Sequence, residues 1–120
     1  MSKDDKKIAS GLKKAGVKGA HHHLFLCLGP ECAPMKEGEK VWKYLKEEVG
    51  ERGLDVMRTK AACVRICSGG PWLIVYPEGI WYGGVTVERC ARILDEHLGQ
   101  GRPVREWIAA ENPLRPPCAG

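Results

Sequence analysis

The pattern of apolar and polar residues predicts six elements along the chain, in the order β-α-β-β-β-α. Residues 23–28, HLFLCL, form an apolar run with the length of a buried strand. A loop rich in glycine and proline follows over residues 29–38. Residues 37–52 repeat apolar side chains at helical spacing, with lysines and glutamates on the other face. Residues 54–60 alternate weakly, which indicates a half-buried strand.

The second half of the chain predicts a hairpin and a helix. Two β-rich runs within residues 72–84 flank a Pro-Glu-Gly turn, whose proline and glycine favour chain reversal. Thr86 is the predicted N-cap of a helix over residues 87–98, which ends at Gly99. These elements indicate a small α+β domain with a mixed sheet and two helices. Three later apolar residues are expected to pack against its core: Val104, Trp107 and Ile108.

Charge is distributed unevenly between the N-terminus and the rest of the chain. The net charge of +4 lies in the first 18 residues, which contain six lysines and two aspartates. We expect residues 1–20 to be a flexible, lysine-rich leader, with docking to an acidic partner as the alternative. Residues 21–112 then form the domain and residues 113–120 a proline-rich tail. Nucleic acid is not an expected partner, because that would require a basic face on the fold itself.

Hydropathy and cysteine content suggest a compartment. No apolar run approaches the ~20 residues that a membrane-spanning helix needs, and the polar N-terminus lacks the apolar stretch of an export signal. We therefore expect a cytoplasmic protein without membrane insertion. Six cysteines in 120 residues is a high count for that compartment. Clustered thiols there more often bind metal or carry out redox chemistry than form structural disulfides.

Four of the cysteines form two local pairs. Cys27 and Cys32 have the spacing C-x4-C, and Cys63 and Cys67 have the spacing C-x3-C. If the strands before these pairs are parallel neighbours, the loops that follow lie at the same sheet edge and the four thiols converge. Structural zinc favours C-x2-C, and thiol–disulfide enzymes favour the same spacing at a helix start, which neither pair has. The wider spacings suit a 2Fe–2S cluster, with one pair on each iron.

Other residues of the two loops are suited to a negatively charged cluster. Glycines 29, 69 and 70 let backbone N–H groups approach the sulfurs closely. Arg65 and Lys60 can lower the negative charge of the site, although Arg65 can equally be a solvated surface cation. The alternatives that remain are a zinc-stabilised interaction module and a thiol–disulfide redox protein, each using the same four cysteines.

The two cysteine pairs followed by SGGPWLIVYPEGIWYGGVTVE, residues 68–88, resemble the thioredoxin-like 2Fe–2S ferredoxins. They are also similar to the cluster domain of the 24-kDa-type subunit of NADH-oxidising complexes. The resemblance covers residues 22–112. It implies a thioredoxin-like fold and one-electron transfer through a cluster held by Cys27, Cys32, Cys63 and Cys67.

The resemblance also implies the kind of partner. We expect an electron carrier rather than an enzyme in its own right, serving redox proteins of the reductase, hydrogenase or dehydrogenase type. A small, partly apolar patch around the two loops is the expected docking surface. The C-x4-C spacing is closer to the complex subunit, whereas the lack of that subunit's helical N-terminal domain favours an independent carrier. Relatives of the shuttle type form dimers, so we expect a homodimer.

Further cysteines, histidines and tryptophans receive structural interpretations. Cys90 lies on the apolar face of the last helix and is expected to be buried, whereas Cys118 is expected to be an exposed thiol in the tail. Residues 21–23, three histidines, are expected at the surface and the sheet edge rather than as Rieske-type ligands. Trp72 is expected to pack in the core, with shielding of a cluster from water as the alternative.

Overall fold

Five strands form one mixed sheet in this computed structural model, which describes residues 2–27, 35–62, 64–66 and 68–114. The strands are β1 (His22–Cys27), β2 (Val56–Ala61), β3 (Leu73–Tyr76), β4 (Ile80–Tyr82) and β5 (Ile108–Glu111). Their order across the sheet is β2-β1-β3-β4-β5. The pair β1 and β2 is parallel, and the other three neighbouring pairs are antiparallel. The predicted α+β class and the predicted hairpin are confirmed.

Within the described residues, three α-helices accompany the sheet: α1 (Lys3–Ala15), α2 (Met35–Arg52) and α3 (Val87–Ile93), which continues as a π-helical turn over Leu94–Leu98. A 3-10 turn covers Arg105–Trp107. The predicted N-cap of α3 is confirmed, because the Thr86 hydroxyl accepts a hydrogen bond from the Arg89 N–H at 3.2 Å. The predicted end of this helix is confirmed, because the π-helical turn ends at Leu98 with Gly99 as its C-cap. Gly99 itself has right-handed backbone with φ of −82°, and the glycine in the left-handed region is Gly101, with φ of 72°.

The core lies between one face of the sheet and the two helices α2 and α3. The sheet contributes inward side chains from alternate positions of β1 and β3, including Leu24, Leu26, Leu73 and Val75. The period of two along each strand sends the intervening residues to the outer face. The helices and the last segment complete the core with Val41, Leu45, Cys90, Ile93, Leu94 and Val104.

Helix α1 was not predicted. The Ser2 hydroxyl accepts the Asp5 N–H at 3.1 Å, and the Asp5 carboxylate accepts the Ser2 N–H at 3.2 Å, so a capping box begins the helix. The Ser2–Asp5 spacing is a local sequence pattern from which the helix could have been predicted. No residue of α1 is buried, and its apolar side chains Ile8 and Leu12 are exposed. The flexibility of residues 1–20 relative to the domain stays a prediction.

Strand β5 was also not predicted, although the expectation that the last segment packs on the core is confirmed for Val104, which is buried. Short alternation in the sequence IAAE is too weak to distinguish a strand from a loop. The strand is defined by its pairing with β4. Beyond it, the N–H groups of Asn112 and Leu114 donate to the carbonyls of Gly79 and Pro77, at 2.8 and 3.0 Å.

Candidate metal centre

The parallel pairing of β1 and β2 brings the starts of the two cysteine loops to the same sheet edge. Cys27, the last residue of β1, lies opposite Ala61, the last residue of β2. Cys63 is two residues further along the chain from Ala61. The sequence-based condition for convergence, that the two strands are parallel neighbours, is therefore met. Cys32, Cys63 and Cys67 themselves lie outside the described residues.

Cys27 is fixed by its backbone. Its N–H donates to the carbonyl of Trp72 at 3.0 Å, so the end of β1 is tied to the segment just before β3. Its side chain is buried, with 1% of the residue exposed. A thiolate at this position is surrounded mainly by protein rather than by water. Hydrogen bonding and solvent access are the two features through which a protein tunes an iron–sulfur group.

The segment that follows the second cysteine pair is held against the connection between β4 and α3. The carbonyls of Gly69 and Pro71 accept the N–H groups of Gly84 and Val85, at 2.7 and 3.0 Å. Gly69 has φ of 72°, in the left-handed region that favours glycine. These backbone hydrogen bonds fix residues 69–71, just after the second cysteine pair, against residues 84–85.

Trp72 forms a cover over this segment. Its indole Nε1–H donates to the Ser68 carbonyl at 2.9 Å. The ring also packs directly on Gly83, where an added Cβ would lie 3.0 Å from Trp72 Cη2 and 3.3 Å from the Gly69 oxygen. Gly83 is therefore required for the close approach of the indole. The core packing expected for Trp72 is wrong, because Trp72 is half-buried and belongs neither to the buried core nor to the residues packed against it. Shielding of a cluster by Trp72 stays a prediction.

The two cations predicted near the cluster have different surroundings. Arg65 is exposed and has φ of 68°, a left-handed conformation that is uncommon for a residue with a side chain. Lys60 is also exposed, and its ammonium lies 5.6 Å from the centre of the Trp42 ring. The guanidinium carbon of Arg58 lies 4.9 Å from the same ring centre. Any effect of Arg65 or Lys60 on a cluster stays a prediction.

The remaining cysteines and the histidine run are placed as follows. Cys90 is fully buried in α3, as expected, and burial raises the pKa of its thiol to about 12. Cys118 lies outside the described residues. His23 is on the outer sheet face, where its ring stacks on Phe25 at 4.3 Å and its Nε2 lies 2.8 Å from the Thr59 hydroxyl.

Sequence reasoning missed a second group of polar side chains. His22 and His97 both direct Nε2 at one oxygen of Glu78, at 3.0 and 2.7 Å. His97 is buried, and Nδ1 of its ring lies 2.8 Å from the Tyr82 hydroxyl. Burial lowers the pKa of His97, and the hydrogen bond and charge of Glu78 act in the opposite direction without overcoming it. No local motif in the sequence indicates this group, because its members come from separate elements.

Comparison with known proteins assigns the family. A protein of Priestia megaterium named as a 2Fe–2S ferredoxin is 35% identical over 96 residues, which cover 79% of this chain and 75% of that protein. The chain belongs to the 2Fe–2S ferredoxin family. This ferredoxin is also 33% identical over 93 residues to the 2Fe–2S ferredoxin of Clostridium pasteurianum, covering 70% of this chain and 91% of that one. No protein-family model matches the chain.

The fold of this ferredoxin is shared with a solved structure. The thioredoxin-like 2Fe–2S ferredoxin from Aquifex aeolicus matches with a TM-score of 0.70 and 25% identity, over 84% of this chain and 99% of that one. The predicted family, thioredoxin-like fold, 2Fe–2S cofactor and electron-carrier function are confirmed. Among the described residues, no helix of this ferredoxin is long and apolar enough to cross a membrane.

Proposed function

We propose that Cys27, Cys32, Cys63 and Cys67 hold the 2Fe–2S cluster of this ferredoxin. The observation that carries the proposal is the register of β1 and β2, in which Cys27 lies opposite Ala61. Each pair begins at, or two residues beyond, one end of these parallel strands. The chemistry of the donor set fits, because iron–sulfur clusters are held by four cysteine thiolates.

The residues around the site have separate tasks in this proposal. The cluster supplies one-electron oxidation and reduction when it is bound. Cys27 provides a thiolate at a fixed position, because its N–H is held by the Trp72 carbonyl. Trp72 excludes water from one side of the segment over residues 68–72, and Gly83 leaves room for the indole. The backbone bonds from Gly84 and Val85 keep the segment from changing shape when an electron arrives or leaves.

Electron exchange with protein partners is proposed to occur near the same sheet edge. An open groove of about 350 Å³ runs along the outer sheet face and is lined by Phe25, Val64, Arg65, Tyr76 and Trp81, among others. Val64 and Arg65 lie between the two cysteines of the second pair, so this partly apolar groove adjoins the proposed ligands. We infer that redox proteins of the reductase, hydrogenase or dehydrogenase type dock here, with Arg65 contributing a cation.

We further propose that the protein works in the cytoplasm as a homodimer, with residues 21–112 as the electron-carrying domain. A reducing compartment keeps clustered thiols available for metal. Residues 1–20 and 113–120 are then dispensable for cluster binding, so removal of residues 1–20 should leave the iron content unchanged. Sedimentation equilibrium of the full chain tests the dimer, and a mass of one chain at all concentrations contradicts it.

The experiment that tests the ligand proposal is purification without oxygen, followed by iron and acid-labile sulfide counts and electron paramagnetic resonance after reduction. We expect two irons and two sulfides per chain, and one unpaired electron per chain on reduction. The zinc-stabilised module predicts a colourless protein with zinc and no sulfide. A thiol–disulfide protein predicts disulfide-reducing activity that persists after iron is removed.

A further inference from the structure

A group of two histidines and a glutamate, all side chains of types that can bind a metal, lies at the opposite end of β1 from Cys27. It consists of His22 at the start of β1, Glu78 in the turn between β3 and β4, and His97 in the π-helical turn after α3. The three ligand atoms all lie within 4.8 Å of one another. Five residue steps of about 3.3 Å separate His22 from Cys27, so the group is about 17 Å from the proposed cluster end.

Both imidazoles converge on one carboxylate oxygen. His22 Nε2 is 3.0 Å and His97 Nε2 is 2.7 Å from the same Glu78 oxygen. Two imidazole nitrogens and one carboxylate oxygen form a donor set found in zinc sites that keep a fourth position open. Metal–ligand bonds of 2.0–2.2 Å in a tetrahedron place ligand atoms about 3.3 Å apart. Each imidazole nitrogen therefore needs to move away from the Glu78 oxygen by less than about 1 Å to accept an ion. The two nitrogens lie within 4.8 Å of one another and need to come to the same tetrahedral spacing.

The His97 ring is held in place by a second set of contacts. Its Nδ1 lies 2.8 Å from the Tyr82 hydroxyl, which also accepts the Val104 N–H at 3.0 Å. Metal-binding histidines usually have their other ring nitrogen hydrogen-bonded in this way, which fixes the ring orientation. His97 itself is 2% exposed, so the ring is positioned by the core rather than by solvent.

The other two ligands leave a path for an ion. The side chains of His22 and Glu78 are 23% and 33% exposed, so hydrated metal can reach them from solution. Glu78 lies in a tight turn at the surface, where a small displacement of the carboxylate costs little. Imidazole ligands suit zinc, copper and nickel rather than calcium or magnesium, which prefer oxygen.

We propose that His22, Glu78 and His97 form a second metal site, separate from the cluster, for a divalent ion of the zinc class. The bound ion joins β1, the hairpin turn and the end of α3 through three direct bonds. Because the three ligands are brought together only in the folded chain, the ion stabilises the folded protein by an amount that rises with the logarithm of one plus its concentration over its dissociation constant.

The test uses untagged holoprotein with its cluster intact, dialysed against a chelator and then titrated with Zn²⁺. We expect one zinc per chain by metal analysis, unchanged visible bands of the cluster, and a rise in the unfolding temperature. His22→Ala and Glu78→Gln should each weaken zinc binding at least tenfold and remove the temperature rise. His23→Ala is the matched control, because His23 is the next residue but lies on the outer face against Thr59.

Each outcome decides the proposal. Equal zinc affinity in wild type, His22→Ala and Glu78→Gln overturns it, as does the absence of a stoichiometric zinc. Weakening by His23→Ala as strong as that by His22→Ala also overturns it, since that pattern indicates chelation by the surface histidine run. Zinc uptake that bleaches the cluster bands places the ion at the cysteines instead. None of these results changes the ligand assignment of the cluster.

Discussion

The two ends of β1 carry different kinds of polar chemistry on the same strand. At its end, Cys27 is buried, and the two cysteine pairs there have four and three residues between their members. At its start, His22 meets Glu78 and His97, which come from two later elements. The first site is built from local pairs on neighbouring parallel strands, and the second from single residues that only the tertiary fold brings together. Local pairing makes a site recognisable in a sequence, and tertiary assembly does not.

The largest effect is expected at the Cys27 end. Cys63→Ala should lose both irons and lower the free energy of unfolding, because cluster binding is coupled to folding. Iron analysis and thermal unfolding followed by circular dichroism measure the two effects. Retention of two irons per chain in this variant would remove Cys63 from the ligand set.

A smaller effect is expected when the packing of the Trp72 indole over residues 68–69 is disturbed. Gly83→Ala places a methyl group 3.0 Å from Trp72 Cη2, so the indole must shift. We expect a cost of about 1–3 kcal/mol and faster removal of iron by a chelator, since the loop loses its cover. Denaturant unfolding and the rate of bleaching measure these changes.

Gly50→Ala is the control for this variant. Gly50 lies in α2 with no atom within 4 Å of an added Cβ, so alanine should be neutral or stabilising by up to about 1 kcal/mol. Equal rates of iron loss in the two variants would show that the Trp72 cover does not protect the cluster.

At the His22 end of β1, the buried residue to change is Tyr82, whose hydroxyl holds the His97 ring. Tyr82→Phe removes the hydroxyl shared by His97 and the Val104 N–H, and leaves both without that partner in the core. We expect a cost of about 1–2 kcal/mol with unchanged iron content, measured by urea unfolding. Tyr76→Phe makes the same chemical change on the outer face and should cost less. A loss of iron in Tyr82→Phe would show that the two ends of β1 are not independent.

The smallest effect is expected at the buried cysteine outside both sites. Cys90→Ala should keep full iron content and cost about 1 kcal/mol of packing. Burial raises the pKa of this thiol from its usual 9.0 to about 12, so the unfolded chain loses the proton first. The Cys90 contribution to stability therefore falls as the pH rises from about 9 to about 12. The stability difference between wild type and Cys90→Ala across that range measures it, and a constant difference would contradict the burial.

Sequence patterns were informative where the determinants are local. The apolar run ending at Cys27, the helical spacing of α2 and the Pro-Gly turn of the hairpin each depend on neighbouring residues, and all were predicted. Helix α1 was missed although the Ser2–Asp5 capping box is local, because the lysine-rich composition indicated a tail. Strand β5 was missed because only its pairing with β4 defines it.

The candidate sites divide in the same way. The spacing of the four cysteines and the hairpin sequence led to the ligand set and the family. Parallel pairing of β1 and β2 was a condition that the sequence could state but not establish. The group around His97 could not be predicted, because no spacing within the chain relates a histidine after α3 to the start of β1.

The most direct test of the ligand set is the iron content of six single variants, each with one cysteine changed to alanine, purified without oxygen. We predict two irons per chain in the wild type and in the variants at Cys90 and Cys118, and incomplete iron in the variants at Cys27, Cys32, Cys63 and Cys67. Full iron in any of those four, or loss of iron from the Cys90 or Cys118 variant, would contradict the assignment.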